Sequence, residues 1–112
     1  MKKIECIVRP QKLEAIQTSL RRFGIRGMTL TNALGCGLQK GRTEVYRSYT
    51  LSNNFFLRTK IEIVVTDDLV NQIVEVISQE SYTGEIGDGK VFISNVENTL
   101  RILSGDSGKY AI

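Results

Sequence analysis

The feature that most constrains this chain is an internal repeat. Lys3-Ile4-Glu5 recurs as Lys60-Ile61-Glu62, and at the same offset of 57 the pairs Val8/Val65, Leu13/Val70, Ile16/Ile73, Leu20/Ile77 and Gly27/Gly84 match in character. Residues 2–8 set Ile4, Cys6 and Val8 on one side and charges on the other, the period of two of a half-buried strand. Pro10 closes that strand, and its fixed φ and missing N–H suit a helix start. Leu13, Ile16, Leu20 and Phe23 follow at helical spacing up to Gly24, the stop. Met28, Leu30 and Leu34 begin a second strand. In the second half, residues 60–65 are a dense β-branched strand, Asp67 or Asp68 is placed to cap a helix through Leu69, Val70, Ile73, Val74 and Ile77, and Val91 and Ile93 mark a last strand. Two βαβ halves interleave as βαββαβ, an α+β ferredoxin-like arrangement with both helices on one face of an antiparallel sheet. Chance matching of two amphipathic βα units is the competing explanation.

The halves differ in what they insert. From Gly35 to about Leu57 no period holds, and a loop of about twenty residues in so small a domain is usually functional. Tyr46, Arg47, Tyr49, Phe55 and Phe56 are residue types that anchor interfaces; a disordered insert is the alternative. The second half inserts Thr83-Gly84-Glu85-Ile86-Gly87-Asp88-Gly89-Lys90 before its last strand. Closely spaced glycines permit positive φ and close backbone approach, and free N–H groups followed by a lysine suit phosphate oxygens. A plain tight loop, turning at Asp88-Gly89 with Lys90 solvated, uses the same residues.

Composition narrows the classes. The 112 residues make one domain, no apolar stretch approaches membrane-spanning length, and the N-terminus lacks a signal-peptide pattern, so the expectation is a soluble protein. There is no histidine, and Cys6 and Cys36 have no metal or disulfide spacing; Cys6 reads as a core residue. The net charge of +3 is spread along the chain, which favours anionic partners over a nucleic-acid face, and the strand Ile61, Ile63, Val65 lacks aromatics on which bases could stack. An acylphosphatase-like enzyme would need glycines where Pro10 and Gln11 stand. Both sides of residues 61–65 look largely aliphatic, so the uncovered sheet face is expected to be apolar and buried by self-association.

Several stretches together resemble the PII signal-transduction proteins of nitrogen regulation, over the whole of residues 1–112. They are Lys2-Lys3-Ile4-Glu5 with Arg9-Pro10, Gly27-Met28-Thr29, Gly35-Cys36-Gly37-Leu38-Gln39-Lys40-Gly41, Thr43-Glu44-Val45-Tyr46-Arg47, Lys60-Ile61-Glu62 and, most specifically, Thr83 through Phe92. The resemblance implies a non-enzymatic homotrimer of ferredoxin-like subunits that binds ATP or ADP between subunits and 2-oxoglutarate beside it through Mg²⁺. It implies a single domain with an effector-binding T-loop at about 37–57 and a C-terminal segment at about 96–112. Targets would be enzymes or transporters of nitrogen metabolism, such as an ammonium transporter or N-acetylglutamate kinase, with no nucleic acid and no direct membrane insertion. The compartment would be the cytoplasm, or the plastid stroma for an organelle-encoded protein.

Carried over by residue, Gly87, Asp88, Gly89 and Lys90 would hold the nucleotide phosphates with Arg101, while Thr29, Gly35, Gly37, Leu38, Glu62 and Val64 would surround the nucleotide. Gln39 would be the protein ligand of Mg²⁺, which prefers phosphate oxygens and few protein ligands. Lys40, Gly41, Arg58 and Gly87 would lie close to 2-oxoglutarate, and Tyr46, Arg47, Ser48 and Tyr49 would contact effectors. The chain departs from the pattern in Arg58 for a lysine, Leu103 for an arginine near the nucleotide, Leu51 for the nucleotidylylated tyrosine and Tyr49 for a phosphorylated serine. Ser48, Tyr49 and Ser52 remain candidate modification sites. A divergent PII-like paralogue with altered ligands is the alternative.

Overall fold

The computed structural model describes residues 1–36 and 55–112. Strand β1 (Lys2–Val8) leads through a 3-10 turn at Pro10–Lys12 into helix α1 (Leu13–Arg21), followed by β2 (Thr29–Cys36) and β3 (Phe55–Val65). A second 3-10 turn at Asp67–Leu69 opens helix α2 (Val70–Ser81), and β4 (Lys90–Asn95) and a final 3-10 turn at Gly108–Ala111 complete the chain. The sheet order is β2-β3-β1-β4 with every neighbouring pair antiparallel. This is the ferredoxin-like βαββαβ fold.

The repeat is realised in the core. Ile4, Cys6, Val8, Ile16 and Leu20 from the first half, and Ile61, Ile63, Val65, Ile73 and Ile77 at an offset of 57, are all at most 3% exposed and form one cluster between sheet and helices. Burial pushes the Cys6 thiol up to about 11, so it is an inert core group. The helices are tied to each other by Ser19 Oγ, which donates to Glu80 Oε1 at 2.9 Å. Gly24, at φ 79°, turns the chain out of α1 as its position predicts.

Three expectations are corrected. Strand β3 begins at Phe55, so residues 55–57 belong to the sheet rather than to a loop running to 57, and Gly35 and Cys36 belong to β2; Cys36 pairs with Phe55. Phe55, Phe56 and Leu57 are all apolar although only Phe56 is buried, and Leu34 opposite Leu57 is exposed as well, so no apolar-polar alternation marks these residues as strand. Neither aspartate caps α2 with its side chain: Thr66 precedes the turn, and Asp67 Oδ1 lies 2.9 Å from the Met1 amino nitrogen.

The third correction concerns the uncovered sheet face, which is charged at its centre. Ile61, Ile63 and Val65 all point to the helices, and alternation puts Lys60 and Glu62 on the other side, beside Lys3 and Glu5 of β1. The register sets Glu5 directly opposite Glu62, an unfavourable pairing relieved by cations. Lys3 Nζ lies 3.0 Å from Glu62 and 3.7 Å from Glu5, and Lys60 Nζ lies 3.4 Å from Glu62. These contacts raise the Lys3 pKa, chiefly through Glu62, and lower that of Glu62, chiefly through Lys3. The open face is therefore mixed, charged at its centre with Ile7, Val64 and Phe92 as apolar members, and is not the apolar face expected.

Candidate functional site

The ladder between β1 and β4 positions the glycine loop. Ile7 pairs with Lys90, so the chain that precedes Lys90 runs back along the end of β1. Gly84, Gly87 and Gly89 have φ of 87°, 102° and 111°, the left-handed region where a side chain is strained. Gly89 is the most constrained: a Cβ there would stand 1.9 Å from the carbonyl oxygen of Ile7. The loop can lie this close to β1 only without that atom.

Asp88 and Arg9 hold the loop in shape. The Asp88 carboxylate accepts from the Thr83 N–H at 2.7 Å, the Gly84 N–H at 3.0 Å, the Thr83 hydroxyl, and Arg9 Nε at 3.3 Å. Arg9 is 8% exposed, and its Nη2 donates to the Ile86 carbonyl at 3.0 Å. Hydrogen bonds from the Thr83 hydroxyl and N–H, with further help from Gly84 and Arg9, hold the Asp88 carboxyl far below the usual carboxylate range. A buried guanidinium needs such a paired carboxylate. The Asp88 side chain thus serves the loop's own geometry, leaving backbone and Lys90 to meet an anion. Arg9 was a motif residue in the sequence and not a site candidate; the strand register is the signal that finds it, because continuing the Ile7/Lys90 pairing by two residues sets Arg9 across from Asp88.

Apart from Asp88, which lines a smaller pocket with Gly89 and Lys90, the described candidate residues fall into two clefts with no lining residue in common. The first, of about 490 Å³, brings together Gly35, Arg58, Gly87, Gly89 and Lys90, with Ile7, Cys36, Phe56, Ile86 and Phe92 completing its wall. Arg58 is engaged with its own strand here: its Nη1 donates to the Leu57 carbonyl at 2.7 Å, and its guanidinium carbon lies 5.5 Å from the centre of the Phe56 ring. The second cleft, of about 780 Å³, brings together Thr29, Glu62, Val64 and Arg101, with Lys3 and the turn from Gly24 to Met28. Thr29 faces Glu62 across the β2/β3 ladder. Arg101 begins a tight turn closed by the Gly105 N–H donating to its carbonyl at 2.8 Å. Leu103 sits in that turn, 97% exposed and in the lining of neither cleft. Gly37, Leu38, Gln39, Lys40, Gly41, Tyr46, Arg47, Ser48, Tyr49, Leu51 and Ser52 lie outside the described residues.

No helix among the described residues is long and apolar enough to cross a membrane. Residues 1–106 match the family model described as Nitrogen regulatory protein P-II. Relatives with that name include one from Bradyrhizobium diazoefficiens, 46% identical, one from Azospirillum brasilense, also 46% identical, and one from the red alga Porphyra purpurea, 48% identical. In each comparison the match spans 112 residues and covers the whole of both chains. On this full-length similarity and the glycine loop that the fold builds, the chain belongs to the nitrogen regulatory protein P-II family.

Proposed function

We propose that this protein is a regulator of nitrogen metabolism that acts by binding ligands and not by catalysis: it senses ATP or ADP together with Mg²⁺ and 2-oxoglutarate, and controls target enzymes or transporters through the segment around residues 37–54. The observation that carries the reading is the glycine loop. Its three positive-φ glycines and the contact of Gly89 with the Ile7 carbonyl fit a backbone that a phosphate chain can approach, with Lys90 supplying charge at its end. Gln39 would be the protein ligand of Mg²⁺, which would supply positive charge to offset that of the phosphates. Arg101 would add a second cation for the phosphates, and Thr29, Glu62 and Val64 beside it would surround the nucleotide. Since these residues line a cleft that shares none with the loop's cleft, the reading is a homotrimer in which one copy supplies the loop and the next supplies Arg101.

Signalling then needs only differential affinity. Ligands that bind better to one state of the protein shift its population toward that state, and targets that prefer it gain or lose their hold. Titration calorimetry tests the reading: ATP and ADP bind the wild-type protein, and 2-oxoglutarate binds when Mg·ATP is present and not otherwise. Absence of nucleotide binding, or equal 2-oxoglutarate affinity with and without Mg·ATP, overturns it.

A family member with changed effector preference is the second reading. It is favoured by Arg58, whose guanidinium is held on Phe56 and the Leu57 carbonyl within its own strand. ATP binding without any 2-oxoglutarate response would decide for it.

A further inference from the structure

Three cations line the larger cleft, and two of them are committed. Lys3 Nζ is held by Glu62 at 3.0 Å and Glu5 at 3.7 Å, and Arg101 Nη2 donates to the Ala111 carbonyl at 3.4 Å. Arg26 is the third. It is exposed and has no ion pair or hydrogen bond among the described residues. Ordinary structural reasons for an arginine do not reach it. Arg21 ends α1 and Arg22 caps it, where cations suit the carboxyl end of the helix dipole, but that effect fades within the last turn and Arg26 lies four residues past the cap. Nor does Arg26 balance the cleft's acid, because Glu62 already faces Lys3 and Lys60 at 3.0 and 3.4 Å.

We propose that Arg26 is a ligand contact of this cleft, a guanidinium that pairs with phosphate oxygens of the bound nucleotide and sets how strongly the number of phosphates counts in affinity. The inference rests on the nucleotide reading above and adds a residue to it. A guanidinium fork matches two phosphate oxygens at once, which an ammonium does not. Recruiting Lys3 to a phosphate means surrendering an ion pair already made on Glu62, whereas Arg26 surrenders nothing but water. Its location in the turn at 24–28, whose residues all line the cleft, places it in the same lining as Arg101.

The test is titration of the full-length protein with ATP, ADP, AMP and adenosine, in wild type, Arg26→Ala and Arg26→Lys. Arg26→Ala is expected to weaken ATP roughly tenfold and to leave adenosine unchanged, with Arg26→Lys between the two because it keeps a charge but loses the fork. The dependence of ATP affinity on salt is expected to flatten in Arg26→Ala. Since Arg26 is exposed and holds no ion pair or hydrogen bond among the described residues, the thermal midpoint is expected to stay at the wild-type value. Equal ATP affinity in wild type and Arg26→Ala overturns this inference and leaves the nucleotide reading intact. An equal loss for ATP and adenosine also overturns it, because the residue would then shape the cleft instead of meeting phosphate. A wild-type protein that binds none of the four ligands removes the nucleotide reading and this inference with it.

Discussion

Gly89 is the residue on which the site's shape depends most directly. A Cβ at φ 111° is strained, and here it would also stand 1.9 Å from a backbone oxygen that cannot rotate away. Gly89→Ala is therefore expected to displace the loop from β1, costing on the order of 1–3 kcal/mol of stability and abolishing measurable nucleotide binding; unchanged calorimetry would contradict that. Asp88 is the second such residue. Asp88→Asn weakens three charge-assisted bonds and leaves the buried Arg9 without its counter-charge, an expected loss of about 1–3 kcal/mol in urea unfolding at neutral pH. The sign of its pH dependence follows from a depressed native pKa. The Asp88 contribution is complete above the unfolded aspartate value of about 3.9 and is lost as pH falls below it toward the lower native value. Carboxyl-carbon NMR is the direct check, with an Asp88 resonance that stays ionised through pH ~4; a titration centred there would refute the assignment.

At the scale of elements, the duplicated helices carry equivalent parts of the core. Ile16 of α1 and Ile73 of α2 are related by the offset of 57 and both are fully buried between helices and sheet. Ile16→Ala and Ile73→Ala are each expected to cost about 2–5 kcal/mol, since each leaves a cavity under a helix that the rigid sheet cannot fill. Chemical denaturation measures both. A loss under about 1 kcal/mol at either site would mean that the helix collapses onto the sheet more freely than its packing indicates.

For the whole molecule, the proposed reading makes assembly part of function, because it divides the nucleotide between two clefts. Light scattering or sedimentation is expected to give three copies per particle at micromolar concentration, and a substitution that yields folded monomers is expected to lose ATP affinity along with assembly. A monomer that binds ATP as tightly as the wild type would show that one chain completes the site alone. The charged centre of the open sheet face bears on this. Lys3, Glu5, Lys60 and Glu62 satisfy one another within the chain, so the centre of this face does not itself call for a covering partner.

The order βαββαβ, the ten core positions related by the offset of 57, and the glycine loop could all be read from the sequence. Each depends on local period or on residue chemistry: alternation fixes a strand's buried face, helical spacing fixes a helix's, and only glycine tolerates the φ that the loop adopts. The family could be recognised for the same reason, because its longest stretch, Thr83 through Phe92, is contiguous. What the sequence left open belongs to contacts between distant residues. Reading 61–65 as largely aliphatic on both sides holds for Val64 and not for Glu62, whose neighbours Lys3 and Glu5 only the strand pairing reveals. The start of β3 at Phe55 was hidden because Phe55, Phe56 and Leu57 are all apolar, although the fold buries only Phe56 of the three. Arg9 and Asp88 are 79 residues apart, and only the antiparallel register of β1 with β4 brings them together. The division of the candidate residues between two clefts was likewise decided by the sheet, which spreads positions 29, 62 and 64 away from 35, 58 and 90 although both sets lie on the same strands and their neighbours.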